Sequence, residues 1–269
     1  MKKYFEIIGF IVLALFSFYY TSKTTIVVKN TDSIMINIKD DMENHKIDSV
    51  DAIINGDEIV PGLSGREVDV SKSYDAMKKV GTYSTNMLVY KNIKPNVSIS
   101  NIYNKYISKG NKNKKQVSLI FKVDEKDNID TIIKILDDNK VKANFFTLDK
   151  FDNSIISLTN KEHNIGSVNN ETWLNTVVTK IKKQKNRYCY LEEKNKEVLD
   201  ICALNKNYTI VPNILTDITP TITIKKNLES GVIISMDVNN NLYKELEYII
   251  KYIKSKGFDI VNLDELLAE

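Results

Sequence analysis

From Val117 onward the chain alternates short apolar runs with amphipathic stretches, and this alternation constrains the fold more than any other feature. Residues 117–121 form a continuous apolar-rich run, and Ile129, Ile132, Ile133 and Leu136 follow at the spacing of one buried helical stripe. The unit repeats. Strands are expected at 143–147, 164–168, 187–191 and 208–211. Between them lie a short helix at 155–158, a stripe of Leu174, Val177, Val178 and Ile181, and a third helix marked by Val198, Ile201 and Cys202. A buried strand at 231–236 precedes the longest stripe, Leu242, Leu246, Ile249, Ile250 and Ile253. Gly257 is placed to end that helix, and a last strand is expected at 258–263. Strands apolar on both faces, interleaved with helices, predict a parallel sheet covered by helices. A closed or nearly closed β/α barrel fits, with an open doubly wound sheet as the alternative. No glycine-rich phosphate loop follows the first strand, so nucleotide binding has no support.

The N-terminal region reads differently. Lys2 and Lys3 precede a run at 4–20 that is apolar except for Glu6, and Lys23 closes it. That length approaches the roughly 17 to 25 residues that span a bilayer, and the lysine pair held inside predicts an exported remainder. Residues 16–20 are bulky where a signal-peptide cleavage site needs small ones, and no Cys follows to carry a lipid. The expectation is an uncleaved transmembrane anchor over 1–23 with the rest of the chain outside the cell membrane. Residues 24–28 and 34–38 read as extended. Asn55-Gly56, Pro61-Gly62 and Gly65 mark turns. A helix capped by Ser71, with Tyr74 and Met77 inward, should stop at Gly81. The polar run 110–116 reads as a linker. These signs divide the chain into the anchor, a small β-rich or irregular unit over 24–115, and the repeating domain over 116–269.

The 38 basic and 35 acidic residues leave a charge of +3 spread along the chain. This is far from the concentrated basic face that a nucleic acid requires. Cys189 and Cys202 belong to no CxxC pair and give no disulfide framework, so they read as buried small apolar residues.

Five pieces in the repeating region carry a further signal. They are Ser118-Leu119-Ile120-Phe121 leading into Lys122-Val123-Asp124; Lys142-Ala143-Asn144-Phe145-Phe146; His163-Asn164-Ile165-Gly166-Ser167-Val168 with Thr172 after it; Arg187-Tyr188-Cys189-Tyr190; and Ser230-Gly231-Val232-Ile233-Ile234. In order and framework these resemble the polysaccharide deacetylase, or NodB homology, family. Its counterparts are an apolar run ending Phe-Asp-Asp-Gly, then Lys-Ala-Thr-Phe-Phe, His-Glu-Ile-Gly-Asn-His, Arg-Pro-Pro-Tyr and Ser-Gly-Ser-Ile-Ile. The resemblance implies a distorted β/α barrel. It also implies a lineage that hydrolyses acetyl groups on surface glycans: a divalent metal held by one Asp and two His activates water, a second Asp acts as base, and a His acts as acid.

The chemical positions depart from that pattern. The resemblance places the base at Lys122, the metal Asp at Val123, the metal histidines at Val168 and Thr172, and the acid at Asp237. Valine has no lone pair to offer a metal, and the mechanism uses three histidines where this chain has two, His45 and His163. The reading is therefore a catalytically degenerate homologue with no catalytic residue, metal or other cofactor. His163 matches a non-ligand position and reads as structural.

Strand ends of such a barrel would present Lys122, Asp124, Asn169, Asn170, Glu171, Glu192, Glu193, Asp217 and Asp237. The candidates for ligand binding are Asp124, Asn169, Asn170, Trp173, Arg187, Tyr188, Tyr190 and Asp237, because amides and carboxylates hydrogen-bond sugar hydroxyls and aromatic faces stack on sugar rings. Three classes follow: a non-catalytic binder of cell-wall polysaccharide or peptidoglycan, a carbohydrate hydrolase with an altered site (deacetylase or glycosidase), and a surface scaffold. Lys122 and Arg187 would both be costly without a counter-charge. Asp237 is expected to pair with one of them.

Overall fold

The structure, a computed structural model, describes residues 2–124, 127, 129–147, 162–168, 187–216 and 218–269. In chain order its elements begin with helices α1 (Lys2–Thr31) and α2 (Ser33–Asp41), then β1 (Ile53–Asn55), β2 (Glu58–Val60), β3 (Gly65–Val68), α3 (Val70–Val80), β4 (Tyr90–Ile93) and β5 (Tyr106–Ile107). The repeating region supplies β6 (Gln116–Val123), α4 (Ile129–Asp138), β7 (Asn144–Thr147), β8 (Asn164–Ser167), β9 (Tyr188–Tyr190), α5 (Lys196–Leu204) and β10 (Tyr208–Ile210). It closes with β11 (Ile214–Thr216), α6 (Pro220–Asn227), β12 (Ile233–Asp237), α7 (Asn240–Ser255), β13 (Asp259–Val261) and α8 (Leu263–Leu266). The helix expected at 155–158 and the stripe from Leu174 to Ile181 lie outside the described residues.

Two compact units emerge: Met1–Ser49 with Ser64–Ile93, and Val50–Leu63 with Lys94–Glu269. In the smaller, the segments expected to be extended at 24–28 and 34–38 are helical instead. The helix that starts in the apolar run continues to Thr31 and a second restarts at Ser33. Asp32 makes the restart by accepting from the backbone of Ile34 at 2.9 Å. Helix α3 is capped by Asp69, which accepts from Lys72 at 3.1 Å, rather than by Ser71, and it stops at Gly81 in the left-handed conformation, as the sequence predicts. Ile34, Met35, Ile38, Val68, Tyr74, Met77 and Leu88 form its core. Along α1 the side chains of residues 7–21 are exposed throughout. Among the described residues no helix is long and apolar enough to cross a membrane.

The larger unit is the α/β domain. Its strands pair as β1-β2-β5-β10-β9 and as β11-β12-β6-β7-β8, with β13 also on β6; every ladder but β1-β2 is parallel. The parallel, helix-covered sheet is therefore as expected. Pairing among the described residues gives two sheets rather than a closed ring.

Strand β6 contributes to both core layers. Val117, Leu119, Phe121 and Val123 enter one apolar layer with the stripes of α4 and α7, while Ile120 enters a second with Ile59, Phe146, Tyr190, Ile210 and Ile233. Strand alternation thus divides the core between two faces. Asn144 fastens the strands. Its amide donates to Ser118 Oγ and to the carbonyl of Leu119, both at 2.8 Å, while its oxygen accepts from the backbone of Leu263 at 2.8 Å. Two family-like glycines are packing positions. A Cβ on Gly166 would lie 2.4 Å from the Phe146 ring, and one on Gly231, at φ +89, would lie 2.5 Å from the Gly110 carbonyl oxygen.

The boundary near residue 115 moves, because β5 pairs with β10, β2 pairs with β5, and 50–63 and 94–115 belong to the α/β unit. Nor is 110–116 a linker. Gly110 and Asn111 are buried, with Asn111 donating to the Pro61 carbonyl at 2.9 Å and Gly110 to the Gly231 carbonyl at 2.8 Å. Hydrogen bonds, not apolar surface, hold these two residues inside while Lys112, Asn113 and Lys115 stay exposed.

Cys189 and Cys202 are buried as expected but are joined in a disulfide that ties β9 to α5 across 13 residues. Spacing alone could not reveal it, since the bond needs the strand and the following helix brought face to face.

Candidate functional site

Parallel strands β6 and β12 place Lys122 directly opposite Asp237 in their ladder. Glu192 enters from the turn just after β9. The Lys122 ammonium is ion-paired with both carboxylates; its side chain is 14% exposed, against 49% for Glu192 and 43% for Asp237. Burial works against the charge, but the hydrogen bonds that the ammonium donates to Asp237 and Glu192 outweigh it and raise the Lys122 pKa to about 12. These three residues line a cleft of about 280 Å³ together with Leu215, Thr216, Thr223 and Ser235. The buried Tyr190 hydroxyl meets Ser235 Oγ at 2.8 Å, and burial pushes that hydroxyl up to about 12. Nearby, Asp127 accepts from the backbone of Asp124 at 2.6 Å. Burial raises the Asp127 carboxyl, and the charges of Asp124 and Asp237 add to the rise.

This is the arrangement of strand ends to which solved structures can be compared. No family model matches the sequence. Over 241 residues the chain is 25% identical to "Uncharacterized protein YlxY" of Bacillus subtilis (strain 168), covering 78% of this chain and 75% of that one. BA3943 of Bacillus anthracis, a CE4 family pseudoenzyme, superposes with a TM-score of 0.65 at 23% identity over 89% of this chain and 96% of its own. The Bc1960 peptidoglycan N-acetylglucosamine deacetylase gives a TM-score of 0.54 at 20% identity, over 60% of this chain and 92% of that one. PdaA of Bacillus subtilis, a family 4 carbohydrate esterase, also gives 0.54, at 15% identity, over 63% and 87%. The chain has the polysaccharide deacetylase fold.

Within that fold the metal implied by the resemblance does not fit the residues present. Val123 points away from Lys122 into the apolar layer with Phe121 and Ile129, fully buried. Val168 packs half-buried against the layer that holds Phe146 and Tyr190. Aliphatic carbon donates no lone pair, and an ammonium at the base position occupies the carboxylates a cation would need. Thr172 lies outside the described residues.

The expected pairing of Asp237 is with Lys122. Arg187 stands elsewhere: it precedes the first residue of β9, whereas Tyr190 at the other end reaches the cleft. Its guanidinium meets Asp264 Oδ1 at 3.3 Å, and the Tyr188 hydroxyl donates to the same oxygen at 2.5 Å. Arg187 and Tyr188 are thus absent from the cleft lining, lying three and two residues before Tyr190 toward the other end of the strand. Tyr190 is fully buried and is no exposed stacking platform; it touches the cleft only through its hydrogen bond to Ser235. Asn169, Asn170, Glu171, Trp173 and Asp217 lie outside the described residues. His163 is buried and its Nδ1 accepts from the backbone of Ala143 at 3.1 Å, a structural role.

Sequence reasoning missed Leu215, Thr216, Thr223 and Ser235. Ser235 had a legible signal, a lone hydroxyl inside an apolar strand. Strand β11 and helix α6 carried none, since a three-residue strand and a helix rich in Thr and Ile show no clear period.

Proposed function

We propose that this protein is a membrane-anchored, extracytoplasmic polysaccharide deacetylase homologue that binds cell-wall glycan without deacetylating it. The observation that carries this reading is Lys122, held by Asp237 and Glu192 where the resemblance puts a catalytic base, beside a valine where it puts a metal ligand. A lysine whose pKa is raised to about 12 stays protonated at neutral pH and accepts no proton from water. The cleft persists nonetheless, lined by carboxylates and hydroxyls of the kind that hold sugars.

Peptidoglycan is the favoured polymer because deacetylases of this fold include one described as a peptidoglycan N-acetylglucosamine deacetylase. Export is supported by the Cys189–Cys202 disulfide, a bond of oxidising compartments, and by the exposed apolar side chains of α1. The test uses the full chain in detergent. It is expected to sediment with purified peptidoglycan and to release no acetate from peptidoglycan or N-acetylglucosamine oligomers with added divalent metal. Chelator-sensitive acetate release would overturn the non-catalytic half of the proposal, and failure to sediment with any wall polymer would overturn the binding half.

A further inference from the structure

We infer that the Cys189–Cys202 disulfide completes the cleft by holding Glu192 against Lys122, so that the three charged residues come together only in the oxidised chain. Assembly of the site is independent of which ligand it takes.

The two carboxylates reach Lys122 by different means. Asp237 stands opposite Lys122 in the ladder of β6 and β12, so strand register fixes it. Glu192 has no such support, because residues 191–195 between β9 and α5 have no regular structure and 192–195 are exposed. Among the described residues the backbones of 192–194 make no hydrogen bond. The nearest anchors are Leu191, which donates to the Ile210 carbonyl at 2.9 Å, and Asn195, which caps α5 by accepting from Val198 at 3.2 Å. Lys194 pairs with Asp57 at 2.9 Å and Glu58 at 2.8 Å, but its side chain is 40% exposed, and exposed ion pairs contribute little. The segment is therefore fixed from its ends.

Those ends are what the disulfide joins. Cys189 lies in β9 and Cys202 in α5, and the covalent ring they close contains Glu192. Without the bond, β9 keeps its ladder to β10, but Leu199 and Cys202 are the buried side chains of α5, and only Leu199 is left as an apolar anchor, against Tyr106 and Val211. A helix held at one point can shift, and the chain from Lys194 back to Glu192 shifts with it. Ordering a half-exposed glutamate on Lys122 then costs conformational entropy that the closed ring has already removed.

The sulfurs are 2% and 1% exposed. A soluble thiol has no access to them in the folded chain, so the bond is made once, during folding, and is no reversible switch. At that step each thiol gives up one proton and one electron and the S–S bond forms, while a disulfide-bearing oxidant accepts both and becomes two thiols. An oxidising compartment thereby determines whether the finished cleft appears.

The test reads which carboxylates touch Lys122. The full chain in detergent is treated with a water-soluble carbodiimide, which joins an amine to a carboxylate in contact with it, and digested. Mass spectrometry then quantifies the Lys122–Glu192 and Lys122–Asp237 products. The native chain should give both. When Cys189→Ala and Cys202→Ala are combined, the Glu192 product should fall several-fold while the Asp237 product stays unchanged, which also reports that the sheet is intact. If that variant fails to fold, the native chain reduced after folding by a phosphine in dilute urea takes its place. An unchanged Glu192 product would overturn the inference. Loss of both products together would also overturn it, because that is what a general support of the fold would produce. A native chain that gives no Glu192 product would remove the contact itself. Dithiothreitol added to the folded native chain without denaturant should alter neither product; selective loss of the Glu192 product there would overturn the one-time assembly.

Discussion

At Lys122 a single side chain changes what the strand ends can do. Its neighbours Asp237 and Glu192 hold a charge that burial alone would expel. Removing one partner strands part of that charge. Asp237→Ala is therefore expected to lower stability by about 1 kcal/mol or more, whereas Asp259→Ala, an exposed position on β13, should change it little. Equal shifts in melting temperature would make the ion pair energetically idle. The pH dependence has a definite sign. The folded pKa of Lys122 is raised from the ordinary 10.5 to about 12, so its stabilisation is complete below about 10.5 and is lost as pH rises through about 12. Urea unfolding across that alkaline window should show a loss in the native chain that is smaller in Lys122→Met.

Val123 gives the complementary case. It fills the apolar layer on the face of β6 opposite Lys122, so Val123→Asp buries a carboxylate and is expected to cost several kcal/mol. The single change Val123→Asp should give no metal-dependent acetate release, because Lys122 and Val168 still supply no base and no imidazole. Acetate release by that variant with added metal would show that the strand end rearranges more freely than its packing indicates.

At the level of elements, the disulfide between β9 and α5 closes a loop of 13 residues. Loops of that size contribute about 3 kcal/mol in the chain-entropy account. Cys202→Ala, or reduction in denaturant, should lower unfolding free energy by roughly 2 to 4 kcal/mol; no change would mean the bond is not formed in solution.

Long periodic elements were legible in the sequence. The stripes of α4 and α7 are buried at the residues that the spacing predicts, and the apolar runs of β6, β7 and β12 are strands. Short elements were not. Strands β1, β2 and β5, two or three residues each, are held by pairing in a row out from β10, with β5 on β10, β2 on β5 and β1 on β2, which is a tertiary fact. Helix α5 was read at the right place with the wrong face: Leu199 and Cys202 are buried while Ile201 is 58% exposed. Of the cleft, the three charged residues could be found from strand ends, but the wall of Leu215, Thr216 and Thr223 could not. The ion pair of Asp237 was legible from charge balance and the resemblance only as far as Lys122 or Arg187; the parallel register of β6 and β12 makes it Lys122.

For the whole molecule the open question is where it works, and three properties bear on one answer. Helix α1 presents Phe10, Leu13 and Phe18 at 74%, 69% and 80% exposure, an apolar surface that water penalises and a lipid bilayer accepts. The lysines at positions 2 and 3 favour the cytoplasmic side for its start. The disulfide lies in the α/β unit, well beyond that helix in sequence, and needs an oxidising compartment. Deleting residues 1–22 should therefore move the protein from the membrane fraction to the soluble fraction. In intact cells stripped of their wall, external protease should degrade the full-length chain, and a thiol-reactive label added under denaturing conditions should find no free cysteine. Protection of the chain from external protease, or two freely labelled cysteines in protein taken from cells, would place the α/β unit inside the cell. In that case a wall glycan could not be its ligand, because the polymer and the cleft would lie on opposite sides of the membrane.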